Sequence, residues 1–267
     1  MTAGTSSEQR LGATMAHERE DDHVVPSVRV PPLRHRMIAR VAEILELAAR
    51  ESDGLSLTEF AQLLAAPVSS VQSLVNGLVE TDYLTKTGRK YVLGPAPFIL
   101  NLIARRSPIN VVKHDDLELL HKETGRTAFL GIVVAGRVIY IDHVSANPAF
   151  AYLAETHAPR PLLRTAAGRV LLANMDKRPL FEILRRVDQR DQNLVEPFLE
   201  EVPSILDQDL AISRGLATAD HWTVAVPVRE NGATVAALGI SGTPEQMRND
   251  LDRIGQLLLD RVRGWSV

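Results

Sequence analysis

The chain has no cysteine, which excludes a disulfide framework, thiolate-ligated zinc and a thiol nucleophile. It has no apolar run near the roughly 20 residues of a membrane-spanning helix, so a soluble protein is expected. Residues 1–32 lack the apolar segment of a secretory leader and read instead as a polar, charged, disordered tail. A cytoplasmic location follows. Neither charge sign dominates: the net charge is −3, which gives the whole molecule no electrostatic pull towards nucleic acid. The signatures of common enzymes are missing as well, with no P-loop, no H-E-x-x-H and no glycine-rich dinucleotide fingerprint. Gly239-Ile240-Ser241-Gly242 lacks the second spacer of a nucleophile elbow. His114, Glu118 and His121 share a predicted helix face, yet on so charged a helix they read as solvated side chains rather than metal ligands. No cofactor is expected.

What is present is an apolar content of 45% in 267 residues, enough for two cored domains. Residues 33–97 carry the pattern of a winged helix-turn-helix. A first helix over Leu33–Arg50 places Ile38, Val41, Ile44, Leu45 and Ala48 on one face. Ser56 and Glu59 form an S-x-x-E capping box that opens a second helix with Leu57, Phe60, Ala61 and Leu64 inward. Pro67 stops it. A third helix carries Val71, Leu74, Val75, Leu78 and Val79 on one face, and a hairpin follows from Tyr83 to Leu93 around Thr87-Gly88. Such a unit commonly lays its second helix-turn-helix element in the major groove of DNA.

Charge within 33–97 balances, Arg34, Arg36, Arg40, Arg50, Lys86, Arg89 and Lys90 standing against Glu43, Glu46, Glu51, Asp53, Glu59, Glu80 and Asp82. The distribution matters more than the sum. Arg34, Arg36 and Arg40 cluster at the start of the first helix, and Lys86, Arg89 and Lys90 on the wing. Both patches are either phosphate grips flanking a groove or ordinary solvated surface.

Residues 98–108 read as a linker helix broken by Pro108, and Ile109–Thr124 as an amphipathic helix closed by Gly125. The pattern then becomes α+β. Thr127–Val134 and Arg137–Val144 form a hairpin, and Asn147–Pro161 is a long connection. Thr165–Met175 is a helix with a polar N-cap. Helical stretches follow over Pro179–Val187 and Glu196–Arg214, the second interrupted at Pro203. His221–Val228 and Ala233–Ser241 pair about an Asn-Gly turn, and Thr243-Pro244 opens a last helix to Val262. There is no internal repeat.

In both halves the motifs resemble the IclR family of bacterial transcriptional regulators. The N-terminal likeness lies in Arg40–Leu47, Leu57–Leu64 and Tyr91–Pro95. The C-terminal likeness lies in Glu123–Thr127, Val138–Asp142, Arg164–Arg169, Arg214–Leu216, Val224–Val228 and Ala236–Gly242. The resemblance implies a DNA-binding regulator, expected to be a repressor, whose winged helix dimerises on a palindromic double-stranded operator. It also implies a GAF-like effector domain over 109–267 that binds a small molecule and helps form dimers or tetramers. Ligand and DNA would then act on each other by linkage.

Two departures from the family pattern bear on chemistry. The family's third helix usually starts Pro-Lys-Ser-Thr with an arginine in the next turn, whereas here Val68 replaces the lysine and a serine the arginine. Amides can pair with adenine where arginine and lysine favour guanine. The expected base readers are therefore Gln72 and Asn76, with Ser69, Ser70 and Ser73 on phosphates or base edges. In the effector domain Thr223 stands where a cysteine is usual, and Gly239 replaces a serine that often faces the ligand, while Ser241 is retained. The segment 217–223 is also shorter than usual. Free amides at a helix N-terminus suit a carboxylate. Candidate ligand residues are Thr165, Ala166, Ala167, Gly168, Thr223 and Ser241, for a small carboxylate or aromatic acid. The alternative is a ligand-independent regulator or interaction protein of the same fold, in which these residues are only a cap and strand positions.

Overall fold

The computed structural model describes residues 36–105 and 109–265. The expected tail over 1–32, Arg34 and the end of the linker over 106–108 lie outside them. The N-terminal unit runs α1 (Arg36–Arg50), β1 (Leu55–Ser56), α2 (Leu57–Leu63), α3 (Val68–Glu80), β2 (Leu84–Thr87) and β3 (Lys90–Leu93). Its sheet has the order β1-β3-β2. The capping box forms as expected: the Ser56 N–H donates to Glu59 Oε2 at 2.7 Å and the Glu59 N–H to Ser56 Oγ at 3.3 Å. Ile44, Phe60, Val71, Val75, Leu84 and Tyr91 close the core beneath α2 and α3.

Three details differ from the sequence pattern. Thr87 pairs with Lys90, so the wing turns at Gly88-Arg89, one residue later than expected. The two-residue strand β1 adds a third strand by pairing Leu55 with Tyr91. Ile38, expected inside, is 67% exposed and its neighbour Met37 69%.

A connecting helix, α4 (Ala96–Ala104), starts earlier than expected because Pro97 fits its first turn, where no N–H is needed. The C-terminal unit follows with α5 (His114–Thr124), β4 (Thr127–Val134), β5 (Arg137–Val144), α6 (Pro148–Glu155), α7 (Ala166–Ala173), α8 (Lys177–Leu184) and α9 (Val195–Gln208). It ends with β6 (Ala211–Arg214), β7 (Trp222–Glu230), β8 (Ala233–Gly242), α10 (Pro244–Met247) and α11 (Leu251–Trp265). The five strands form one antiparallel sheet in the order β5-β4-β8-β7-β6. One face is covered by α5, α10 and α11 through Leu117, Leu120, Met247, Ile254 and Leu258. The other is covered by α6, α7, α8 and α9 through Phe150, Val170, Leu180, Phe198 and Ile205.

Local chemistry accounts for the departures. Ile109–Lys113 is not helical, because the backbone N–H groups of Asn110 and Val111 both donate to Glu230 Oε1. The connection after β5 contains α6, whose first amides at Ala149 and Phe150 donate to Asn147 Oδ1. Pro203 does not break α9, which runs through it with Phe198 and Ile205 buried on either side. Residues 211–214, expected to be helical, form β6 against β7. The last helix is split: Arg126 takes the Gln246 carbonyl, so the Asp250 N–H bonds Met247 O at 3.0 Å instead.

Candidate DNA-binding helix and effector site

On α3 the apolar positions Val71, Val75 and Leu78 face the core. Every predicted reader, Ser69, Ser70, Gln72, Ser73 and Asn76, is exposed. The spacing 69, 72, 73, 76 puts four of them on one helical face. Pro67 precedes the helix without a side-chain cap, so its first amides point outward uncovered by a side chain. The wing presents Lys86, Arg89 and Lys90 to solvent, with the Lys86 ammonium 5.9 Å from the centre of the Tyr91 ring. On α1, Arg36 is exposed and Arg40 half-buried.

The effector-domain candidates converge on the sheet face under α7. Side chains two apart on a strand share a face. Thr127 pairs with Ser241, Ser241 with Thr223 and Thr223 with Ser213, which sets a row of hydroxyls across β4, β8, β7 and β6. Thr223 Oγ1 donates to Ser241 Oγ at 3.0 Å, Ser213 Oγ to the Arg164 carbonyl at 2.7 Å, and Thr127 and Ser145 hydroxyls meet at 2.6 Å. α7 packs over this sheet with Ala166 and Ala167 fully buried. Thr165 is its N-cap, accepting from the Gly168 N–H at 3.1 Å and donating to Pro161 O at 3.1 Å. Gly168 is required by a close approach, since a Cβ there would lie 2.1 Å from the Leu162 carbonyl oxygen.

Four further groups at this site escaped the sequence reading: Thr127, Ser213, Asn147 and Arg160. In the helix expected over Glu196–Arg214, alternation of Ser213 with Ala211 carries no meaning; in β6 it puts both on one face. Asn147 Nδ2 donates to His221 Nε2 at 3.1 Å, which leaves the His221 Nδ1 buried without a hydrogen-bond partner. Arg160 bonds Thr218 Oγ1 at 3.0 Å, while its Nε is buried and unpartnered. Asp220 is loop surface.

One row inward the face turns apolar. Phe129, Gly239, Ala225 and Ala211 are register neighbours. Phe129 is fully buried and packs at a tilt against Tyr140 and Phe150, at centroid distances of 4.5 and 5.6 Å. Burial pushes the Tyr140 hydroxyl up to about 12, so the trio stays uncharged. The ring of Phe129 lies against the bare backbone of Gly239, where a Cβ would fall 2.3 Å from its Cζ. A concavity of about 270 Å³ lined by Leu171, Asn174, Met175 and Val235, and one of about 140 Å³ near Arg229, both lie elsewhere.

The three helix residues weighed as metal ligands part company. His114 donates to Asp142 Oδ1 at 2.9 Å with Glu118 at 3.8 Å, whereas His121 Nδ1 donates to the Arg126 carbonyl. The Asp142 hydrogen bond raises the His114 pKa above its usual 6.5. A raised value means the pair contributes its stability fully below 6.5 and loses it as pH climbs through the folded value. His114→Ala should therefore lower the melting temperature slightly at about pH 5.5, and by less as the pH is raised, as thermal denaturation across that range would show.

Comparison with known proteins agrees with this architecture. The IclR helix-turn-helix domain matches residues 37–88, and the bacterial transcriptional regulator IclR C-terminal domain matches residues 103–267. The chain is 30% identical over 140 residues to the HTH-type transcriptional regulator TtgV of Pseudomonas putida, covering 52% of this chain and 54% of that protein. It is 24% identical over 214 residues to the regulator KdgR of Escherichia coli, covering 76% and 81%. Among solved structures, an IclR homologue of Microbacterium hydrocarbonoxydans complexed with 4-hydroxybenzoate superposes with a TM-score of 0.68 at 20% identity, over 86% of this chain and 97% of that one. An IclR-family regulator of Brucella abortus gives 0.67 at 20% identity, over 86% and 90%. Among the described residues no helix is long and apolar enough to cross a membrane. With a family domain matched across each half, the chain belongs to the IclR family of transcriptional regulators: a DNA-binding helix-turn-helix joined to an effector domain, and not an enzyme.

Proposed function

We propose that this regulator acts as a cytoplasmic repressor, binding a palindromic operator as a homodimer with α3 in the major groove. The exposed amide and hydroxyl face of α3 carries this reading. Gln72 and Asn76 read base edges, Ser69, Ser70 and Ser73 assist, and Arg34, Arg36, Arg40 and the wing cations hold phosphates. Self-association is supported by α4, which buries none of its residues: Phe98, Leu102 and Ile103 are 63, 53 and 71% exposed. A helix apolar on all sides but that of Asn101 needs a partner, and a second copy related by a two-fold axis also explains operator symmetry. Ile103→Lys with Phe98→Lys should shift the protein towards monomer in sedimentation. The footprint upstream of its own or a neighbouring gene should fall from two protected half-sites to none. A wild-type protein that protects no such pair would defeat the proposal.

The effector we assign is a small organic acid. It would sit at Thr165–Gly168 above Thr223 and Ser241, where the unpartnered Arg160 Nε and His221 Nδ1 offer donors. A ligand-independent regulator is the second reading, favoured by the mutual pairing of Thr223 with Ser241 and by the position of both concavities away from this row. A thermal-shift series with small carboxylates separates the two, since only the first gives a concentration-dependent rise.

A further inference from the structure

Resting on that effector assignment, we propose that Phe129 sets the size limit of the site, filling the space of a ligand's apolar body and excluding aromatic acids. A side chain at position 239, even a Cβ, cannot coexist with the present position of the Phe129 ring, which comes within 2.3 Å of it. Glycine at 239 and phenylalanine at 129 thus form one packing unit across β4 and β8, directly paired in register. The ring is held on its other sides by Tyr140 and Phe150, themselves stacked at 5.3 Å and 17°. Three buried rings leave no free edge for a fourth, and a fully buried side chain in a close-packed interior does not move aside cheaply.

What remains for a ligand is the polar row one step along the strands. Thr127, Ser241, Thr223 and Ser213 line it on the sheet side and the Thr165 cap on the helix side. These are short hydroxyl groups, buried but for the half-buried Thr223. They suit an aliphatic carboxylate of two to four carbons, about the reach between hydroxyls on two neighbouring strands (about 5 Å). An acid carrying a phenyl ring would have to place that ring where Phe129 lies.

The test compares wild type with Phe129→Ala by thermal shift, using benzoate, toluene and pyruvate as probes. Removing a buried ring leaves an apolar gap of the kind that takes up benzene-sized molecules. The variant should melt lower and regain about 5–10 °C with benzoate or toluene at about 100 times the dissociation constant, while the wild type responds to neither. Circular dichroism checks that the variant is folded; if it is not, Phe129→Val opens a smaller gap and should show the same gain at reduced size. A wild-type shift with benzoate overturns the proposal, and so does a folded variant that takes up neither aromatic probe. Pyruvate without effect on either protein would instead count against the organic-acid effector and leave the aromatic result standing.

Discussion

Replacing Lys86, Arg89 and Lys90 together by alanine should lower operator affinity on the order of 100-fold at physiological salt, with half-site preference unchanged. These three cations lie exposed on the hairpin of β2 and β3, and none is buried in the core that shapes the domain. Their loss therefore removes phosphate contacts without removing structure. Each lost contact should also reduce the slope of log affinity against log salt by about one, so the triple variant should be flatter by about three. The effect is large because the protein has little cationic reserve: its net charge is −3, and α3 itself contributes no lysine or arginine. Titration of a fluorescent operator at several salt concentrations measures both quantities. An unchanged slope would show that the wing does not touch the backbone.

The second large effect concerns Gly239. Gly239→Ser should cost about 1–3 kcal/mol through overpacking, because its Cβ meets Phe129 ring atoms between 2.3 and 2.9 Å away. Phe129→Ala should cost about 3–5 kcal/mol through the cavity it leaves. Combined, the two should not add, since the serine then occupies part of the space the ring vacated. A coupling of at least about 1 kcal/mol is expected from residues in such direct contact. Chemical denaturation of the four proteins closes the cycle, with strict additivity the outcome against the packing unit.

How much of this was legible in the sequence depended on whether the deciding interaction was local. The capping box at Ser56 and Glu59, the β4–β5 hairpin and the Thr165 cap each rest on residues within a few positions of one another, and each forms as read. Long-range partners decided the rest. Glu230 holds the backbone at Asn110 and Val111 from 119–120 positions away, and Arg126 splits the last helix from a distance of 120. Pro203 predicts a break, yet the burial of Phe198 and Ile205 on one face carries α9 through it. The exposed face of α3 follows from its apolar period alone, so the candidate readers were visible early. The hydroxyl row was only half visible: Thr223 and Ser241 stood out by resemblance, but Thr127 and Ser213 join them only through strand register. The substitution at Gly239 was apparent from the pattern, whereas the ring that fills its place was not.

Selection of binding sites from random DNA, run in parallel with wild type and Gln72→Ala, tests the central claim most directly. A palindrome is expected in the wild-type pool, with adenine favoured at one position of each half-site. In the Gln72→Ala pool the palindrome should persist while that single preference disappears, a discrimination of about 1–3 kcal/mol. A wild-type pool with no enriched palindrome, or a variant pool with the same adenine preference, would contradict the assignment of α3 as the reading helix.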